Sequence, residues 1–223
     1  MMMNKILVGY VNTILLMHFN NNMVDSSPYK RVFSNPYSTF VTGKFDNAVD
    51  MLNDVRPYCN ISNVDWSQGF TIEFFAKFDS VPSGDFYGIL GTYDISSNTS
   101  ENSGFAIRFT SYNNDGFYMT VKGVGEEGNY FWSMIMPTVD GTYHHYAFVY
   151  NNSTLKLYVD GVLKATANIG SKSISPITLY LGRWTTYNNG NNTPVKVDEL
   201  RISNIARYTS NFTVPTSPYT IYK

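Results

Sequence analysis

The chain has one cysteine, Cys59, so no intrachain disulfide can form and a disulfide framework is excluded as the source of its stability. With no partner thiol, Cys59 is expected to serve as a small buried hydrophobe, and a chain without disulfides suits a reducing cytoplasm. Charge is scarce as well: 15% of the 223 residues are charged, 16 basic against 17 acidic, for a net charge of −1. The widest basic cluster is Lys30-Arg31, too small to track a phosphate backbone, so nucleic acid is not an expected partner. No uninterrupted apolar run approaches the roughly 20 residues that span a bilayer, so no membrane partner is expected either. The first residues carry a single Lys5 before an apolar stretch that Asn12 and Thr13 interrupt, and no small-residue cleavage site follows; secretion by a signal peptide is not expected. The sequons at Asn60, Asn152 and Asn211 carry no weight without such a route. Helical periodicity, internal repeats, linkers and charge blocks are all missing, which leaves one domain.

What the chain does have is aromatic residues, 18 Tyr and 15 Phe, in alternating patterns. Phe70, Ile72, Phe74, Ala76 and Phe78 share one face of a strand, and Thr71, Glu73 and Lys77 take the other. The same alternation runs through 105–109, 117–121 and 177–181. Strands apolar on one face and polar on the other predict a two-layer antiparallel sandwich. Asp160-Gly161 between 155–159 and 162–165 predicts a hairpin with a type I′ turn, and Asn151-Asn152-Ser153 links it to 143–150 in a three-strand meander. The segment 143–150 is bulky on both faces and reads as a central strand covered on both sides. Val195 and Val197 are out of phase with Leu200 and Ile202, and one extra residue at Asp198-Glu199, a β-bulge, restores the alternation. Polar residues gather in the connections 94–104, 122–129 and 183–194.

A series of short motifs occurs in one order along the chain. It comprises Leu15-Leu16-Met17-His18-Phe19, Asp25-Ser26-Ser27, Gly43-Lys44-Phe45-Asp46-Asn47-Ala48 and Gly69-Phe70-Thr71-Ile72-Glu73-Phe74. It continues with His144-His145-Tyr146-Ala147, Leu157-Tyr158-Val159-Asp160-Gly161, Leu181-Gly182 and Val197-Asp198-Glu199-Leu200-Arg201-Ile202-Ser203. Together, over roughly 14–219, they resemble a laminin G-like domain of the concanavalin A-like lectin/glucanase superfamily. The resemblance implies an all-β, two-sheet antiparallel jelly-roll sandwich over 14–223, preceded by an arm or edge strand at 1–13. The closing stretch Ile205-Ala206-Arg207-Tyr208-Thr209-Ser210-Asn211-Phe212 is similar to versions found in bacteriophage structural proteins. Tyr143 stands where relatives often carry Trp before the His pair, which keeps an aromatic anchor.

Members of that superfamily include lectins, hydrolases and inert virion parts, so the residues must decide. Glycoside hydrolysis needs two carboxylates flanking one bond. The glucanase pattern Glu-x-Asp-x-x-Glu is missing, and Glu126-Glu127 and Asp198-Glu199 are adjacent pairs, so no enzyme activity is expected. His144 and His145 point to opposite faces of a strand and cannot chelate one ion; one is expected to pack and the other to sit at the surface. Many laminin G-like domains hold a calcium at the rim, and Asp94 and the 183–194 loop offer oxygen ligands, but no full ligand set aligns; the expectation is no cofactor, with a bound calcium as the open alternative. Trp184, Tyr187, Asn188 and Asn189 are the candidate ligand contacts, an aromatic pair that stacks on a sugar while the amides bind hydroxyls; the alternative is that Trp184 plugs the end of the sandwich. The leading expectation is a non-catalytic bacteriophage virion protein, assembled in the host cytoplasm. It would act through contacts with other virion proteins or copies of itself, and with a host-surface glycan. A carbohydrate-binding module for host attachment is the alternative, and a glycoside hydrolase comes third.

Overall fold

A computed structural model describes residues 12–36, 39–52, 56–82, 86–92, 103–110, 116–125, 129–133, 135–183 and 193–221. Among these there is no helix; the chain forms two antiparallel sheets, as the alternation predicts. One sheet contains β1 (Thr13–Met17), β2 (Phe40–Thr42), β3 (Asn47–Asp50), β5 (Phe70–Phe78), β10 (His144–Asn151), β11 (Thr154–Val159), β12 (Val162–Asn168) and β14 (Val195–Ser203). Its order is β12-β11-β10-β5-β14-β3-β2, with β1 also paired to β14. The second sheet, ordered β4-β13-β6-β7-β8-β9, holds β4 (Tyr58–Asn60), β6 (Tyr87–Gly91), β7 (Gly104–Thr110), β8 (Gly116–Lys122), β9 (Asn129–Trp132) and β13 (Thr178–Leu181).

The core lies between the sheets. Phe70, Ile72, Phe74, Ala76 and Phe78 of β5 meet Phe105, Ile107 and Phe109 of β7 and Phe117, Met119 and Val121 of β8, and all are buried. Ring pairs such as Phe78 with Phe109, edge-on at 4.9 Å, and Phe70 with Tyr150, stacked at 5.3 Å, fill the layer. Cys59 is buried in the same core and carries no disulfide; burial pushes its thiol up to about 12.

The turns follow the sequence. Asp160 and Gly161 both have positive φ, 49° and 75°, which is the type I′ turn the Asp-Gly pair predicts. Asn152 and Ser153 repeat it, with φ of 46° and 71°, and β10, β11 and β12 form the meander. β10 lies inside the sheet and is buried from His145 to Tyr150. In β14 the pairing with β5 slips by one residue between Asp198 and Arg201, with Glu199 at φ 52°. The predicted bulge therefore exists, and it has a topological use: before it β14 pairs with β3, and after it with β1. Gly43 is glycine because a Cβ there would lie 2.6 Å from both the Asn47 backbone and Asp198 Oδ2.

The polar side of β5 does not face water, because Thr71 and Glu73 are buried. After β14 the chain turns back and runs across the outer face of its own sheet as a strap, 204–221. Ile205 O accepts a hydrogen bond from Thr71 Oγ1 at 2.8 Å, Phe212 N donates to Gly161 O at 2.9 Å, and Tyr219 N donates to Glu199 Oε2 at 2.7 Å. Tyr208 and Phe212 of the strap pack on Ala147, Val149 and Tyr158, and Tyr219 packs on Leu16 and Phe75.

Candidate functional site

Beneath the strap lies a polar cluster built from residues far apart in sequence. Glu73, on the outward side of β5, is fully buried. Arg201 of β14 donates to its Oε1 through Nε and Nη2, both at 2.8 Å, and Tyr208 donates its hydroxyl to Oε2 at 2.7 Å. His145 Nε2 lies 3.3 Å from the same Oε2 and 2.7 Å from the Tyr219 hydroxyl. Burial opposes the charge on Glu73, but the His145 hydrogen bond and the Arg201 charge overcome it and hold the carboxyl at about 2. Glu73 is therefore an ionised structural anchor and carries no proton to donate near neutrality.

The bulge puts two more acids on this face, Glu199 under the strap and Asp198 under the β2–β3 turn. Glu199 Oε1 is 2.6 Å from His18 Nδ1, and Asp198 Oδ2 accepts from Phe45 N at 2.8 Å. Both acids have no exposed surface. Burial, helped by the charge of Glu199, pushes the Asp198 carboxyl up to about 7, against the pull of the Phe45 amide. Glu199 in turn raises the pKa of His18 through their hydrogen bond, although burial resists it. Three carboxyl groups thus share one sheet face, yet each is held by groups of this chain and none opens to a cleft.

The histidine pair divides as the strand geometry requires. His145 is buried in the cluster, while His144 is partly exposed at the end of the meander. His144 Nδ1 lies 2.6 Å from Asp160 Oδ2 and its Nε2 3.1 Å from Asp140 Oδ2. Partial burial works against the imidazolium, but hydrogen bonds to Asp160 and Asp140 outweigh it and raise the pKa. Asp160 also accepts from His145 N at 2.9 Å, so its role is to fasten the turn it starts. Because the two acids grip opposite nitrogens, the trio is a clamp and cannot close on one metal ion. No group of three or more His, Cys, Asp or Glu suited to a metal occurs among the described residues.

Trp184, Tyr187, Asn188 and Asn189, the residues the sequence proposes as ligand contacts, lie outside the described residues, as do Asp94, Glu126 and Glu127. The described foot of their loop is aromatic. Arg183 sits 3.9 Å over the Tyr180 ring, and Tyr180 packs at 5.8 Å against Tyr58, which is 39% exposed on the edge strand β4. Residues that sequence reasoning missed are Glu73 and Arg201 as a pair, and Tyr208 and Tyr219 as their lid. The signal was there in the aromatics of 208–219, which follow the last strand without its alternation.

Comparison with known proteins places this geometry. The binding domain of botulinum neurotoxin serotype D, solved in complex with N-acetylneuraminic acid, superposes with a TM-score of 0.67 at 16% identity, over 89% of this chain and 48% of that one. The receptor binding domain of botulinum neurotoxin D gives 0.64 at 14% identity, over 89% and 50%. The serotype G binding domain gives 0.64 at 12%, over 88% and 49%. The chain thus spans about half the length of these structures, and the likeness is one of fold. No curated protein matches the sequence. A family profile described as the concanavalin A-like lectin/glucanases superfamily matches residues 53–211, most of the chain from β4 to the strap. With the two-sheet sandwich, the bulged β14 and the Asp160-Gly161 turn all in place, the chain belongs to the laminin G-like part of that superfamily.

Proposed function

We propose that this domain is a non-catalytic binding module whose ligand is a glycan. The observation that carries it is the state of the acids on the outer face of the larger sheet. Glu73 and Glu199 are buried under the strap and Asp198 under the β2–β3 turn, and all three are bound to the chain's own groups. Retaining and inverting glycosidases need two carboxyls on either side of an open substrate path. A glycan ligand is supported by the neurotoxin binding domain solved with N-acetylneuraminic acid, whose fold this chain shares over about half of that structure. Trp184, Tyr187, Asn188 and Asn189 are the proposed contacts, and they follow in sequence on Arg183, which sits over the Tyr180 ring beside Tyr58. Screening the purified protein on a glycan array, with reducing-end release measured on every glycan bound, tests the reading. Binding without release is the expected result. Release that is lost on Glu199→Gln or Asp198→Asn overturns it.

The finer form of the proposal places the module on a bacteriophage particle, in contact with other virion proteins or copies of itself. Its support is the resemblance of 205–212 to phage structural proteins. Mass spectrometry of purified particles is its test: the chain's peptides present at stoichiometric level support it, and their absence from particles of a strain that expresses the chain removes it.

A further inference from the structure

A small pocket opens on the outer face of the larger sheet, where the β10–β11 turn meets the strap. Its cavity volume is about 170 Å³, and Val149, Asn151, Thr154, Lys156, Tyr208 and Thr209 line it together with Asn152. The register explains why these side chains converge. Tyr146, Phe148 and Tyr150 point into the core, so Val149 and Asn151 point out; Leu155 and Leu157 point in, so Thr154 and Lys156 point out. Val149 stands directly opposite Lys156, and Asn151 opposite Thr154, which makes a floor of two cross-strand pairs. The strap supplies the wall. Tyr208 is fixed there by its hydroxyl on Glu73 and by stacking on Phe212 at 3.5 Å and 8°. Lys156 Nζ is aimed along the wall by one hydrogen bond, 3.0 Å to Thr209 O, and an ammonium has two more donors to give.

The chemistry of the lining is lopsided. It offers one cation, two amides, two hydroxyls and an aromatic ring, and no acid. Glu73, the nearest acid named on this face, is turned under Tyr208 and neutralised by Arg201. The volume is below the roughly 300–1,000 Å³ of a cofactor-sized site and suits one ring or a group of that size.

We infer that this pocket is a binding site for a carboxylate-bearing sugar unit, with the Lys156 ammonium taking the carboxylate and the Asn151, Asn152, Thr154 and Thr209 side chains taking hydroxyl or amide groups. The choice of a sugar rests on the glycan reading above; the anionic group follows from the lining alone. The site lies far from the described residues just after the 183–194 segment. Tyr150, beside the turn, pairs with Phe70, whereas Val195, just after the loop, pairs with Phe78. These are opposite ends of β5, about 26 Å apart at ~3.3 Å per residue.

The test is titration calorimetry with N-acetylneuraminic acid, glucuronic acid and neutral N-acetylglucosamine on the full chain and on Lys156→Gln, Asn152→Asp, Trp184→Ala and, as a control, Lys164→Gln, which is exposed on β12. Thermal unfolding checks that each variant is folded. The acidic sugars are expected to bind and the neutral one not; Lys156→Gln and Asn152→Asp should each weaken binding about tenfold or more, and Lys164→Gln should leave it unchanged. Acidic sugars that bind equally well to Lys156→Gln, or that are lost on Trp184→Ala alone, overturn this site and leave the glycan module standing. Array binding confined to neutral glycans does the same. A chain that binds no glycan of any charge overturns the module itself and the pocket with it.

Discussion

Replacing Arg201 by Met tests whether the buried cluster holds the strap to the sheet. The substitution keeps much of the side-chain volume and removes three hydrogen bonds, two to Glu73 Oε1 at 2.8 Å and one to Thr220 O at 3.2 Å. It also removes a guanidinium 4.2 Å over the Tyr219 ring. Breaking a buried ion pair by deleting one partner costs about 3–5 kcal/mol, because the other charge is left uncompensated. Here the lower end is expected, since Tyr208 still donates to Glu73 and Arg207 Nε stands 3.8 Å from it. The pH dependence gives a second reading of the same energy. Glu73 lies at about 2 in the folded chain against an ordinary 4.5. Its folded pKa is lowered, so its contribution is fully present above 4.5 and is lost as pH falls through about 2. By linkage that is roughly 3 kcal/mol. Arg201→Met should shrink this acid-sensitive part and move the acid transition upward. Urea unfolding followed by tryptophan fluorescence, with Trp66 buried in the core as reporter, measures both. The double variant Glu73→Gln with Arg201→Met should recover a large part of the loss, since the charge that needed a partner is gone. A single-variant cost below about 1 kcal/mol, or a double variant as unstable as the sum of the singles, would refute the reasoning.

Two further outcomes follow from the same face. Asp198 is displaced the other way, up to about 7 from an ordinary 3.8, so the stability it contributes is full below 3.8 and is lost as pH rises through 7. Asp198→Asn should therefore flatten the decline between pH 4 and 8, by up to about 4 kcal/mol, as read from urea midpoints across that range; an unchanged profile argues against a buried titrating carboxyl. Gly161→Ala places a Cβ 2.0 Å from Phe212 O at φ 75°, so the turn or the strap must move. A cost of about 1–3 kcal/mol and faster limited proteolysis within 204–221 are expected, and unchanged cleavage there would show that the turn does not hold the strap.

The sandwich was legible in the sequence because strand alternation is a local signal. Phe70, Ile72, Phe74, Ala76 and Phe78 reveal their face without knowledge of what they touch. The Asp160-Gly161 turn and the bulge at Asp198-Glu199 were readable for the same reason, since each is specified within a few residues. The strap was not. Whether Thr71 and Glu73 face water depends on a segment more than 130 residues later, and alternation says only that they oppose the core. His18 and Glu199 are 181 positions apart and meet only because β1 pairs with the far half of β14. The pocket was illegible for a related reason: Asn151 and Thr154 read as turn chemistry until Tyr208 and Thr209 supply the facing wall.

The strap also decides where a ligand can go. Lectin-like and hydrolytic sites need a sheet face, a rim or an edge that solvent reaches. Over β5, β10 and β14 the outward side chains Thr71, Glu73, His145, Ala147, Val149, Asp198, Arg201 and Ser203 are all buried. The second sheet is closed at its centre as well: Ala106, Arg108, Tyr118 and Thr120 are buried, with the Arg108 guanidinium held 4.1 Å from the Phe86 ring and 5.1 Å from that of Tyr118. A glycan laid across either central face would have to displace aromatic and ionic contacts that hold the fold. Contact is thereby confined to the two ends and the edges of the sandwich. One end carries Arg183 with Tyr180 and Tyr58, and the other carries the β10–β11 turn with Lys156. A chain that spends its three sheet-face acids on holding its own strap and its β2–β3 turn has the architecture of a module that grips at its ends.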